Sequence, residues 1–408
     1  MSNPTHLVTG NTLHTRPENR VFYPALDGIR AVAFTMVFLQ HYLHMPWGWT
    51  GVNIFFVLSG FLITGILVNT RDSPFRARNF YIRRTLRIFP LYYGIFLLLL
   101  LLTPIFRWQW SALWLAWPLY LGNFLRFLGP STTTMFSVLE KAGDGFLRSS
   151  RFPGTDLFLG HFWSLCVEEQ FYLIWPWAVF YIRSRKTLIW LCAAIIIGAP
   201  IARIVLQATA APWLLHEELL YRCTPLQMDS LLLGGLLALL WRGSHRDQLL
   251  RFARLLAPAM LLLAVSYTLW NMRPFSSHSF MDYPYPHWMF TFGLCFVNFF
   301  SAAAILCCLQ GGNLFSSVLG LRPLRWAGRI SYGAYVYHDI PHAFYERAVI
   351  HFTRHHPLTH NQEQLIIAAL GYVCTLVIAA LSFSLFESRF LDLKDRLTTR
   401  APDVQPAA

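Results

Sequence analysis

The chain has 408 residues, 55% of them hydrophobic and 16% aromatic, with only 13% charged. Soluble globular chains average about 25% charged residues, so this composition excludes an ordinary water-soluble domain and points to a polytopic membrane protein. The formal net charge of +13 does not indicate a nucleic-acid partner, because the basic residues cluster between apolar spans in the positive-inside manner.

Residues 1–20 are polar and read as a flexible tail without a cleavage site, so the first apolar helix is expected to remain as an anchor. A span needs about 20 residues. The qualifying stretches are 26–45, 51–69, 88–106, 163–182, 187–206, 226–242, 255–271, 287–309, 329–350 and 364–386. The expected fold is all-α: a polytopic bundle of about ten transmembrane helices over 21–390, followed by a short cytoplasmic tail, 391–408. Basic clusters stand at Arg71/Arg76/Arg78/Arg83/Arg84/Arg87, Arg183/Arg185/Lys186, Arg242/Arg246/Arg251/Arg254, Arg322/Arg325/Arg329 and Arg389/Lys394/Arg396. With ten spans and both termini inside, every cluster faces the cytoplasm; an eleventh crossing at 111–128 would put all but the first outside. That stretch is therefore read as re-entrant or lying on the outer surface, with Trp108, Trp110, Trp114 and Trp117 at the interface. The loop Phe106–His161 on the same side has the length for a lid or a polar ledge. The seven cysteines, mostly in apolar segments, read as small hydrophobes.

The first helix directs the functional reading. It is apolar from Ala31 to Leu39, yet carries Arg30 near one end and His41 near the other. Eleven steps of about 100° make three turns plus ~20°, so the two residues share a face, roughly 16 Å apart along the axis. Taken singly, each has a bland explanation: an Arg snorkelling to headgroups, a His packed at the outer end. Together on one face, with Asp27 just before Arg30, they favour a site, because ionisable groups in a membrane usually face partners, water or substrate. A poorly solvated neutral imidazole suits a general base on a hydroxyl.

Further along, the small residues Gly51, Ser59, Gly60 and Gly65 read as helix-packing positions. Arg84 and Arg87 lie three apart on one helix face. They form either a lipid-anchoring flank or a phosphate clamp for a nucleotide-bearing donor such as coenzyme A. Glu168 and Glu169 head an apolar span and diverge by about 100°, so one of them, Glu168, is expected to face the interior, as a partner for an interior Arg or His or for the acceptor's hydroxyls. Arg222 and Asp229 lie at the outer end of a span and either pair with each other or serve a site. His338 and His342 are four apart, but no carboxylate or thiol pattern completes a metal site and Pro341 interrupts the helix between them. No metal is expected, and His338 reads as a polar group lining the cavity.

Together these residues resemble the acyltransferase 3 family of integral membrane acyltransferases. The resemblance runs from about Val21 to Phe390. It rests on Leu26-Asp27-Gly28-Ile29-Arg30, the Arg30-x10-His41 pair, Phe55-Phe56-Val57-Leu58-Ser59-Gly60-Phe61, Arg84-x-x-Arg87, Trp163-Ser164-Leu165 with Glu168, and Ser331-Tyr332 to His338. It implies ten spans in a cell inner (plasma) membrane and transfer of an acyl group, often acetyl, from cytoplasmic acyl-CoA to a hydroxyl. The acceptor is commonly a sugar of a surface polysaccharide, lipopolysaccharide, peptidoglycan precursor or secreted small molecule. Arg30, His41, Arg84 and Arg87 are implied to matter for activity. Many members carry an additional C-terminal hydrolase-like domain; here a partner protein would supply it, or the acceptor would reach the membrane site directly.

The expected site then has His41 and Glu168 as catalytic groups, with Arg30, Arg84 and Arg87 on the acyl-CoA donor. Asp27, Asp229 and His338 would lie toward the acceptor. The acyl-pantetheine arm would reach along the first helix to His41, which serves as general base or carries the acyl group, while Glu168 orients the imidazole or holds the sugar. The rival reading is a transporter or proton-coupled carrier, which also uses intramembrane Arg, His and Glu. Inverted repeats and paired broken helices would favour it, and neither is evident.

Overall fold

A computed structural model describes residues 23–45, 47–127, 145–152, 156–209, 217–271, 287–354 and 358–398. The tail 1–20 lies outside the described residues, as do most of the loop after Asn271 and the last ten residues of the expected cytoplasmic tail. In chain order the α-helices are α1 (Pro24–Leu43), α2 (Thr50–Asn69), α3 (Arg76–Phe106), α4 (Trp163–Tyr181) and α5 (Arg185–Thr209). They continue with α6 (Glu217–Arg222), α7 (Thr224–Trp241), α8 (Arg246–Asn271), α9 (Phe292–Gln310) and α10 (Leu314–Leu319). The last are α11 (Arg322–Arg329), α12 (Ser331–Tyr337), α13 (His342–Thr353), α14 (His360–Ser382) and α15 (Ser388–Leu397). Among the described residues, six segments are long and apolar enough to cross a membrane: α2, α3, α5, α7, α9 and the continuous stretch His360–Lys394.

Helix α2 is apolar all round, and a helix without a polar face is stable only when enclosed. It sits at the centre, against α1, α4, α7 and α9. Its crossing with α7 is backbone on backbone. A Cβ on Gly60 would collide with the Leu231 carbonyl, and one on Gly234 with the Val57 carbonyl. Without a hydrophobic drive between helices in lipid, such small-residue contacts hold the crossing. Gly60→Ala is expected to wedge the two helices apart at a cost of about 1–3 kcal/mol. The measurement is thermal unfolding of the purified protein in detergent, and an unchanged midpoint would contradict the close crossing. By contrast, α3, α5 and α14 turn exposed Leu, Ile and Val side chains outward, as Leu97, Leu101, Ile197, Ile201, Val373 and Val377 do. These are the faces for lipid tails.

Two sequence expectations change. The stretch 111–128 forms two 3-10 turns, Ala112–Ala116 and Gly122–Phe127, neither long enough to cross. Its tryptophans are not an interfacial row: Trp108, Trp114 and Trp117 are buried, because Trp108 stacks on Phe106 and Tyr92 donates to the Trp117 carbonyl. A two-residue hairpin, β1 (Phe146–Leu147) with β2 (Leu157–Phe158), completes the described part of this ledge. The span expected over 329–350 is broken into α12 and α13. Pro341 has no N–H and cannot continue α12, and His342 N–H bonds the Asp339 carbonyl in place of that of His338. The segment from Leu391 continues α15 in helical form to Leu397. One π-helical turn, Phe383–Glu387, separates α15 from α14 and buries Glu387.

Candidate active site

The break between α12 and α13 builds one half of the site. The His338 carbonyl, freed from the helix ladder, accepts the Tyr42 hydroxyl of α1 at 2.7 Å. This bond fixes the broken segment against α1, so that Asp339 meets His41. The His41 Nδ1 to Asp339 Oδ2 distance is 2.8 Å, with side-chain exposures of 22% and 5%. A carboxylate only accepts, so His41 donates from Nδ1 and presents Nε2 as a lone pair. His342 Nδ1 reaches the other oxygen, Oδ1, at 3.4 Å. The buried rings of His338 and His161 complete the cluster, their centroids 4.7 Å apart and that of His338 5.0 Å from His41. Phe158 of the ledge approaches the His41 ring.

The other half is a cavity of ≈240 Å³ beside α2. Its polar lining comprises Arg30, Arg84, Arg87, Glu168, Glu169 and Tyr172, with Ser59, Ser164, Ser331, Tyr332 and Tyr335. Along α2 the lining extends from Val52 to Ile66, roughly 21 Å of helix. The Arg84 guanidinium lies over the Tyr172 ring, 4.0 Å from its centroid, and the Tyr172 hydroxyl bonds Ser59. Arg83, one residue away, points elsewhere and donates to Thr398 at 3.1 Å. A cavity of this size is below the about 300–1,000 Å³ of sites that enclose a drug-sized ligand. It takes a thin arm or a phosphate group rather than a whole nucleotide.

Tyr335 and Ser164 join the two halves. Both line the cavity; their hydroxyls lie 2.5 Å apart and both stand within hydrogen-bond distance of the His161 carbonyl, at 2.8 and 3.2 Å, so one hydroxyl donates to the carbonyl and the other to its neighbour. The Tyr335 carbonyl in turn holds His338 Nδ1 at 2.7 Å. The arginine-lined cavity therefore ends one side chain from the imidazoles. A substrate threaded along α2 would arrive with its far end at His41.

The family model for the acyltransferase domain matches residues 23–384. The chain belongs to the acyltransferase 3 family. It is 29% identical over 351 residues to the putative peptidoglycan O-acetyltransferase YrhL of Bacillus subtilis, a match covering 80% of this chain and 49% of the relative. The peptidoglycan O-acetyltransferase OatA of Listeria monocytogenes is 28% identical over 381 residues, covering 91% of this chain and 56% of the relative. The O-acetyltransferase OatA of Staphylococcus aureus is 25% identical over 332 residues, covering 78% and 50%. The chain thus spans about half the length of these relatives. No solved structure matches it.

Within this acyltransferase 3 chain the residues expected from sequence separate into four places. Arg30, Arg84 and Arg87 meet in the cavity, and His41 and His338 meet at the imidazole cluster. Glu168 lies with the arginines, so the carboxylate bonded to His41 is Asp339 and not Glu168. Glu169 lines the same cavity, against the expectation of a single inward carboxylate. Asp27 sits in the first turn of α1, where negative charge is favoured, and is not among the cavity-lining residues.

Asp229 does not form the expected pair with Arg222. Its carboxylate bonds Arg203, not Arg222, with Arg203 Nη2 2.6 Å from Oδ2 and the guanidinium fully buried. Asn298 and the Ser230 N–H add bonds to the same carboxylate, and Asn53 joins through Ser230 and Asn298. Arg203 sits within the apolar run of α5, and its charge has no outlet to water. Only the fold reveals the partner.

Sequence reasoning assigned no role to Asp339, His161, Ser164, Tyr172 or Tyr335. The available signals were His161 three residues before Ser164 and Asp339 directly after His338.

Proposed function

We propose that the chain is an integral membrane O-acyltransferase that moves an acetyl group from cytoplasmic acyl-CoA to a hydroxyl of a glycan on the other side of the membrane. The observation that carries this reading is the His41–Asp339 pair at the end of a cavity lined by three arginines. The relatives named for O-acetylation of peptidoglycan support a glycan acceptor. The ten-crossing topology with both ends in the cytoplasm fits this reading. The six long apolar segments are joined by α1, α4 and α8, and the pair α12 and α13 makes the tenth crossing. In that orientation Arg84 and Arg87 stand toward the cytoplasm and His41 toward the outside.

The arginines take phosphate oxygens of the donor, because a guanidinium presents paired N–H groups in the matching geometry. The pantetheine arm fills the apolar lining of α2 and brings the thioester carbonyl past Tyr335. His41 Nε2 takes the proton of the acceptor hydroxyl as the oxygen attacks that carbonyl, and the thiolate of coenzyme A leaves. Asp339 holds the imidazole by Nδ1 and stabilises the imidazolium that forms, the part an aspartate plays in hydrolase triads.

Membranes containing the protein, given acetyl-CoA labelled in the acetyl group, are expected to label a glycan fraction. Uptake of substrate without any acyl transfer would refute the reading in favour of a carrier. Arg84→Ala should raise the KM for acetyl-CoA about tenfold or more, the loss of a charge-assisted hydrogen bond worth roughly 1.5–3 kcal/mol, with a smaller change in kcat. Steady-state kinetics on inverted vesicles separate the two parameters.

A further inference from the structure

We propose that the imidazole–carboxylate cluster of His41, His338 and Asp339, backed by His161, is a Zn²⁺-binding site. One ring nitrogen of His41, one of His338 and a carboxylate oxygen of Asp339 lie within 4.8 Å of one another. No ligand spacing announces this cluster, because the partners of His338 are a histidine on a helix some 300 residues away and a carboxylate at no regular ligand spacing.

The hydrogen bonds around the cluster decide what it presents. His338 Nδ1 is 2.7 Å from the Tyr335 carbonyl oxygen. A carbonyl accepts and never donates, so the proton is on Nδ1 and Nε2 of the neutral ring is a lone pair. That Nε2 is buried and has no hydrogen-bond partner among the described residues. His161 repeats the arrangement in mirror form. Its Nε2 faces the Val336 carbonyl at 3.3 Å, and its buried Nδ1 has no hydrogen-bond partner among the described residues and lies 3.8 Å from Asp339 Oδ2. Both rings are fully or almost fully enclosed. One unpartnered lone pair thus faces the carboxylate, and His338, with a second unpartnered nitrogen, brings a ring nitrogen within 4.8 Å of it, an electron-rich centre whose natural complement is a cation.

The outer bonds have the form found behind metal-bound histidines, in which the second ring nitrogen donates to a backbone carbonyl and fixes the tautomer. Imidazole with carboxylate is a zinc donor set. Zinc–ligand distances near 2.0–2.1 Å place tetrahedral donors about 3.4 Å apart, so donor pairs now up to 4.8 Å apart must close by up to about 1.4 Å. His41, the partly exposed member, supplies that movement. Resting on the transfer mechanism above, the metal takes the same imidazole and carboxylate that activate the acceptor hydroxyl. Zinc binding and acyl transfer therefore exclude each other.

The test is titration of the full chain, purified in detergent without a polyhistidine tag, with Zn²⁺ alone and followed by calorimetry. Co²⁺ provides a visible absorption signature of the donor set. One high-affinity Zn²⁺ per chain is expected, weakened at least about tenfold, the loss that even an outer-shell partner costs, in His338→Ala and in Asp339→Asn. The second variant keeps the side-chain shape and serves if the first does not fold. His351→Ala, at an exposed position, is the control and should bind as the parent does. Absence of stoichiometric binding, or equal binding by parent and both cluster variants, overturns the site whatever the enzyme activity. Zinc binding that His338→Ala abolishes, with labelled-acetyl transfer undiminished in the zinc-loaded parent, upholds the site and removes His41 and Asp339 from the chemistry instead.

Discussion

Replacing His41 by Ala, or Asp339 by Asn, is expected to lower acetyl transfer by about 10²–10⁴-fold, the range a positioned general base and its partner contribute. The two effects should not add. Asp339 acts only through the imidazole it holds at 2.8 Å, so the double replacement should be little worse than His41→Ala alone. The measurement is transfer of labelled acetyl to the glycan fraction, normalised to inserted protein. Donor binding in the same membranes should persist, since the arginine-lined cavity is formed by other residues. A variant lacking the His41 imidazole that transfers at parental rates would remove this residue from the mechanism. Equal and independent losses from the two positions would show that Asp339 has a task of its own.

The second large effect lies away from the proposed chemistry. Asp229→Ala leaves the Arg203 guanidinium fully buried without its counter-charge, and breaking such a pair costs about 3–5 kcal/mol. Thermal unfolding in detergent and the yield of inserted protein should both fall. Replacing the two residues together with apolar side chains of similar volume should recover most of the stability, because the desolvation penalty disappears with the charges. This also decides the sequence-based expectation that Asp229 contacts substrate. If the pair is structural, the double variant recovers transfer along with stability. If Asp229 also holds the acceptor, stability returns and transfer does not.

Several features of this protein were legible in its sequence. Apolar runs of about 20 residues have one outcome in lipid, where every backbone group must be bonded within its own helix, and the helical architecture follows from them. The eleven-residue spacing of Arg30 and His41 and the three-residue spacing of Arg84 and Arg87 fix which residues share a helix face, since helix geometry is local. The break in the ninth apolar stretch was foreshadowed by Pro341, and the close α2–α7 crossing by the small residues around Gly60 and Gly234-Gly235.

What the sequence left open concerns partners from distant segments. Asp339 reaches His41 across 298 positions, Arg203 finds Asp229 on the next long helix, and Glu168 turns to the arginines rather than to His41. Each choice depends on the rotation of one packed helix against another, which local periodicity does not encode, because a helix presents several polar positions and only packing selects among them. The sequence by itself determined the helices and the helix faces that carry Arg30 and His41. The tertiary structure decided which carboxylate meets which cation. A charge buried in a low-dielectric interior needs a partner at hydrogen-bond distance, and distances between segments are set only when the chain is packed.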